Sequence, residues 1–436
     1  MQASPNGWTF EKPYRSWGAA ALNLLGRQLR RCGWKRPLTF QGVLDSACRL
    51  TRLSDWGEEH FHEPLQVLVQ SLEEEAELTP LGRLFVKGNL RHFAANRLWV
   101  RQYLKEHPQA QEEPLPRPVF VVGLPRTGTT LLYNLLCQDV SRRPLRFWEA
   151  LQPAPSVRGQ RSAGGGRKSD WRRTKARLVV QAIQRWGAPQ LRSVHALDAD
   201  GPEECTTLML NTFVSPAFFL LGRIPSYLAW LRQRGRELLL GAYEQYRSYL
   251  QVLQHQDRMG AVARPAVLPW LLKSPAHSFG LQALLTTFPD ACVVLTQRDL
   301  KQVVPSTCSL FALMQGMYTD TVDCRRLGPE VLDLIRDLQQ GIQHALESSS
   351  PRLFSVAYPA LVSDPLGVVR AIYRHFAWPL EGGVERRMRD WLAQNPADKH
   401  GAHKYDLKQF GLSAQEVDLV QSPCSAGSAL RYNRQG

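Results

Sequence analysis

The sequence has no C-x-x-C pair: its eight cysteines stand at 32, 48, 137, 205, 292, 308, 324 and 424, without the spacing of a disulfide framework or a zinc site. They read as small buried apolar residues of a protein in a reducing compartment, and a cytoplasmic location is expected. A run of about twenty apolar residues is also missing. The nearest approach, Ala217 to Leu231, is broken by Gly222, Arg223 and Pro225, so no transmembrane anchor is expected. The apolar patch Ala19 to Leu25 is too short for a secretory signal, and Glu11 argues against a transit peptide. No internal repeat of solenoid length is found. Acid is scarce beside base, 39 Asp and Glu against 54 Lys and Arg, a net charge of +15 that suits anionic ligands, nucleic acid or an acidic membrane surface.

What is present is ordinary for a globular protein. With 436 residues, 44% hydrophobic and 21% charged, the chain has room for two or three structural units, and disorder throughout is excluded. Its organising stretch is Arg117 to Leu136. Val119 to Val122 predicts a buried strand, and Thr129 to Leu136 a helix. The loop between them, Gly123 to Thr130, has the glycine spacing of the phosphate-cradling G-x-x-x-x-G-K-[ST] turn, but Thr129 replaces the lysine and the cation comes earlier, at Arg126. That lysine reaches the β- and γ-phosphates of a nucleoside triphosphate, so ordinary ATP or GTP hydrolysis is disfavoured while an anion cradle remains.

Helical spacing runs from Trp17 to about His107, and the proline-rich segment from His107 to Pro118 closes that region. The expected division is a helical part at 1–115 and an α/β part at 116–436. Within EEHFHEP, His60 and His62 lack a third ligand and read as a polar helix junction before Pro64. The segment 158–177 holds eight basic residues against Asp170 and reads as a solvated surface loop entering a helix at Trp171; with a single stacking ring, nucleic-acid binding is disfavoured, while peripheral membrane contact through basic surface is left open. Residues 203–255 are expected to be helical, their many rings mostly core, with a fraction available to an organic acceptor. Further on, a strand entering Lys273, a helix from Pro275 to Phe288 and a strand from Cys292 to Thr296 give a βαβ pattern, and a strand at Leu353 to Ala357 precedes a helix from Asp364 to Phe376.

Ligands of parallel sheets bind beyond the carboxyl ends of the strands, and three such ends carry cations here: Arg126, Lys273 and Arg298. Ser306 is expected at the start of a helix following Pro305. Together, GLPRTGTT at 123–130, LLKSP at 271–275 and FPDACVVLTQRDLKQVVPS ending at Ser306 resemble the sulfotransferase superfamily that uses 3′-phosphoadenosine 5′-phosphosulfate (PAPS), closest to its broad bacterial group; NPADKHGAHKYDLKQFG at 395–411 resembles that group's C-terminal segment. The resemblance implies a three-layer α/β fold of P-loop type, with a mainly parallel central sheet flanked by helices and a helical N-terminal region. It also implies sulfuryl transfer from PAPS to a hydroxyl of a small-molecule or lipid-like acceptor, without a metal. The 5′-phosphosulfate would lie on Arg126, Thr127, Gly128, Thr129 and Thr130, and the 3′-phosphate on Arg298 and Ser306, with Lys399 a further phosphate contact. Lys273 would stabilise the leaving phosphate oxygen. For the base, resemblance to protein-tyrosine sulfotransferases favours Glu149, and the cytosolic enzymes' histidine makes His195 its competitor. Glu203 and Glu204 are read as a helix first turn. The C-terminal R-K-G element of the cytosolic enzymes is absent in that form. The rival readings are a P-loop kinase or nucleotidase, and a non-catalytic protein that binds a nucleotide or polyanion.

Overall fold

Successive residues of a strand point to opposite faces, and β1 (Val119–Gly123) is apolar on both. Val119 and Val121 pack into one core and Phe120 and Val122 into another. β1 is therefore a central strand covered on both sides, the middle of three layers. The computed structural model describes residues 11, 13, 16–32, 37–156, 170–186, 197–260, 267–347, 352–395 and 406–420. Five parallel strands, β1, β2 (Arg143–Pro144), β3 (Trp270–Lys273), β4 (Cys292–Gln297) and β5 (Leu353–Ala357), stand in the order β2-β3-β1-β4-β5. The direction of winding reverses around β1, which places a crevice beyond its carboxyl end.

Sixteen helices among the described residues surround the sheet. Four precede it: α1 (Trp17–Arg31), α2 (Phe40–Thr51), α3 (His62–Glu74) and α4 (Pro80–Glu106). Then come α5 (Thr129–Leu136), α6 (Phe147–Leu151), α7 (Trp171–Trp186), α8 (Thr206–Leu210), α9 (Pro225–Met259) and α10 (Leu281–Thr287). The remainder are α11 (Leu300–Gln315), α12 (Cys324–Glu347), α13 (Tyr358–Ser363), α14 (Pro365–His375), α15 (Gly382–Gln394) and α16 (Ala414–Val420). One face of the sheet packs on α5, α14 and α15 through residues such as Leu132, Ile372 and Met388. The other shares a core with α2, α3, α4, α9, α11 and α12, in which Leu68, Leu90, Tyr246, Val303 and Ile335 are fully buried or nearly so. The proline-rich turn at 107–118 thus marks a change of secondary structure and not a gap in packing.

The strands at 119–123, 270–273, 292–297 and 353–357 lie where the sequence predicts them. Two details differ. The helix expected from Pro275 to Phe288 is split into a 3-10 turn at Pro275–Ser278 and α10. α11 begins at Leu300, capped by the Asp299 side chain, so Pro305 lies inside it and Ser306 on its second turn. The rings of Phe213, Phe218, Phe219, Tyr227, Tyr243, Tyr246 and Tyr249 are core, each at most 1% exposed. Of the basic segment, residues 157–169 lie outside those described, and Arg172 on α7 is buried, bonded to Asp170, Gln256 and the carbonyls of Gln152 and Pro153.

Candidate active site

The loop that leaves β1 is forced tight against β4. A Cβ on Gly123 would run into the Thr296 side chain and lie 2.6 Å from its carbonyl oxygen, so only glycine fits. The turn continues through two left-handed residues, Arg126 at φ 67° and Gly128 at φ 91°. A left-handed arginine is uncommon, and here it sits in a loop of phosphate-cradle spacing, where strain tends to collect at function. Three bonds hold the loop. Thr127 Oγ1 donates to the Leu124 carbonyl at 2.6 Å and shares a hydrogen bond of 2.6 Å with Thr296 Oγ1, and Arg298 Nη1 donates to the Arg126 carbonyl at 2.9 Å.

The expected ligand residues divide accordingly. Thr127 is fully buried and its hydroxyl braces the turn. Thr129 is buried at the start of α5, and Thr130 beside it is exposed. Arg126 is exposed, with its Nε donating to Ser306 Oγ at 3.0 Å. The Arg298 guanidinium carbon lies over the Tyr358 ring, 4.0 Å from its centroid, and Nε donates to Gln302 Oε1 at 3.1 Å. The structure therefore brings Arg126, Thr130, Arg298 and Ser306 to one end of the sheet, around a helix N-terminus whose first N–H groups have no intrahelical acceptor.

Lys273 closes the group. It ends β3, beside Val121 of β1, and is 1% exposed. Its Nζ donates to Thr130 Oγ1 at 3.2 Å and forms an ion pair with Glu204 Oε1. Glu204 in turn accepts from Thr206 Oγ1 at 3.2 Å, and Thr206 bonds Ser274 Oγ at 2.7 Å. A chain of polar groups thus connects α5, β3 and the turn before α8. Beneath it, burial pushes the His277 imidazole down to about 3, and its Nδ1 is 2.9 Å from Tyr243 Oη; it stays neutral near pH 7 and adds no charge to the site.

The carboxylate expected to act as base is engaged by other partners. Glu149 on α6 is 2% exposed and holds Arg143 in a two-point ion pair at 2.6 and 2.7 Å, while Oε2 also accepts the Arg146 N–H at 3.0 Å. Arg143 is fixed besides by Asp257 at 2.9 Å and by the Trp270 ring. These contacts tie Glu149 to Arg143 of β2 at the sheet edge. The placement of Glu203 and Glu204 in a helix first turn is corrected, for α8 starts at Thr206 with Cys205 as its cap, so both precede the helix. Glu204, with a side chain 25% exposed, is the carboxylate at the site, which the sequence reading missed. Its only sequence signal was a pair of adjacent glutamates at unknown register. His195 and Lys399 lie outside the described residues.

Two curated relatives, the omega-hydroxy-beta-dihydromenaquinone-9 sulfotransferases Stf3 of Mycobacterium bovis and Mycobacterium tuberculosis, are each 27% identical over 299 residues, 67% of this chain and 71% of theirs. The solved structure of sulfotransferase STF1 from Mycobacterium tuberculosis H37Rv superposes with a TM-score of 0.72 at 28% identity, over 88% of this chain and 99% of that one. STF9 from Mycobacterium avium gives 0.74 at 29% identity, over 89% and 96%. A profile described as Sulfotransferase family matches residues 118–382, from the start of β1 past α14 and so through every strand and cation just described; because that span exceeds half of the sequence, the chain belongs to the sulfotransferase family.

Proposed function

We propose that this protein transfers a sulfuryl group from PAPS to a hydroxyl of a lipid-like organic acceptor. The observation that carries the reading is the junction of Lys273 with Thr130 and Glu204 at the mouth of a phosphate-type loop without its lysine. A terminal sulfuryl group is less charged than a γ-phosphate, and the Arg126 fork and the amides of α5 suit it. Arg298 and Ser306, on the other side of the loop, suit the donor's 3′-phosphate, which ATP lacks.

In the proposed reaction the acceptor oxygen attacks sulfur in line. The bond from sulfur to the bridging phosphate oxygen breaks, and its electron pair leaves with 3′,5′-ADP, toward Lys273. Glu204 takes the acceptor's proton. Before the donor arrives Glu204 neutralises Lys273, and donor binding draws the ammonium toward the leaving oxygen and frees the carboxylate. The segment 203–255 is assigned to the acceptor side on account of Glu204 and Thr206. A lipid-like acceptor is supported by the two Stf3 relatives, whose name gives a menaquinone derivative as what they sulfate.

The test is transfer of label from 35S-PAPS to a detergent-solubilised hydroxylated quinol. Labelled lipid product that disappears with the Lys273→Ala protein is the expected result. Absence of any labelled product from this and from simple alcohols and phenols, with PAPS bound, would contradict the reading.

A further inference from the structure

Helix α1 is turned inside out. A helix on a globular surface normally buries its apolar stripe, whereas α1 places Asn23, 2% exposed, against the body, where its Oδ1 accepts the Leu81 N–H of α4 at 2.9 Å. Gly26 meets Pro80 on the same side, closely enough that a Cβ would touch the proline ring. The large apolar residues point to solvent instead: Trp17 is 94% exposed, Leu22 55%, Leu24 58%, Leu25 57% and Leu29 38%. At 100° per residue these fall on one arc, shared with Ala21 and interrupted by Gln28. On α4, beside the crossing, Leu84 and Phe85 are exposed as well.

The sequence of this stretch is basic. Between Lys12 and Pro37 the sequence holds seven Lys and Arg residues and no Asp or Glu. A single tryptophan opens the helix and three arginines, at 27, 30 and 31, stand among its last five residues, the aromatic and basic content of helices that lie in the plane of a membrane interface. At 15 residues α1 is shorter than the roughly 20 a bilayer span requires, so it can lie on a membrane but not cross one. Its outer end is tied down, since Arg27 pairs with Asp320 at 2.7 Å. Asp320 follows α11, the helix that carries Ser306 of the site, with Ser306 about 14 Å of helix from the Gln315 end.

We propose that α1, with Leu84 and Phe85, docks the protein onto an anionic phospholipid bilayer by inserting its apolar arc at the interface. The basic flank supplies the long-range attraction and the arc the adhesion. The proposal does not depend on the sulfotransfer reading, because binding is measured without donor or acceptor.

The test is co-sedimentation of the full chain with vesicles of equal parts phosphatidylglycerol and phosphatidylcholine, in about 0.1 M salt. The wild type should sediment with them and bind much less to phosphatidylcholine alone. Leu24→Glu/Leu25→Glu should reduce binding by at least about tenfold, from loss of two inserted side chains, while leaving the melting temperature and the response to 3′,5′-ADP unchanged. Binding by the double variant within about twofold of wild type would overturn the proposal, as would failure of the wild type to bind. A wild-type dimer in sedimentation velocity that the double variant turns into a monomer would also overturn it, by giving the arc to a second copy of the chain.

Discussion

Lys273 and Glu149 are both charged, buried and ion-paired, and what separates them is access. Glu149 is surrounded by Arg143 and the Arg146 amide, and its partner is boxed in by Asp257 and Trp270. Removing one charge of a buried pair leaves the other uncompensated, so Glu149→Gln is expected to cost about 3 kcal/mol in urea unfolding. Lys273 instead faces Thr130 and a carboxylate that is partly open to solvent. Lys273→Ala should lower kcat by roughly a hundredfold or more with little change in 3′,5′-ADP affinity, and Glu204→Gln should lower it by about a hundredfold in the same way. If Glu204→Gln keeps full turnover, the base lies elsewhere. The cations of the site were legible in the sequence because each ends or follows a strand, and strand ends can be read from short apolar runs. The carboxylate was not. Glu149 and Glu204 look alike in sequence, and only the pairing of Arg143 with one and Lys273 with the other tells them apart.

At the scale of elements, the loop after β1 works because two backbones come unusually close. Gly123→Ala should destabilise the protein by about 2 kcal/mol and reduce 3′,5′-ADP binding, since the strand must move off Thr296 and take the loop with it. Denaturation midpoints and nucleotide titration of the same variant measure both effects. The four longer strands were legible as short apolar runs between turn residues. β2 was not, for two residues carry no period, and neither was the continuity of α11 through Pro305. Proline six residues into a helix sacrifices one hydrogen bond, and the burial of Val303, Val304, Cys308 and Phe311 on either side outweighs that cost. The inverted face of α1 was likewise invisible, because periodicity reports that a helix is amphipathic and not which side its neighbours cover.

For the whole molecule, one core draws buried residues from the helical part and from the α/β part, α2 and α12 among its elements. Two histidines packed in this body weaken the fold in acid. Burial holds His92 at about 4, aided by Lys175 and Arg91, and His277 at about 3, opposed only by Glu204. Both are neutral when folded and take up a proton at about 6.5 when unfolded. Their contribution is therefore complete above pH ~6.5 and is lost as the pH falls toward ~4, at up to about 1.4 kcal/mol per pH unit for each. Urea unfolding between pH 7 and 4.5 should follow that slope, and His92→Gln should flatten it. A midpoint independent of pH in this range would contradict the burial argument.

In the proposed function, Arg298 and Ser306 complete a donor site for a 3′-phosphorylated nucleotide around the Arg126 loop. The most direct measurement is the melting temperature of the full chain with 3′,5′-ADP against ATP, each at about a hundred times the Kd found for 3′,5′-ADP. The expected result is stabilisation by 3′,5′-ADP worth about 2.7 kcal/mol, little from ATP, and loss of most of the difference in Arg298→Ala. Equal stabilisation by the two nucleotides, or a 3′,5′-ADP shift that survives Arg298→Ala intact, would contradict it.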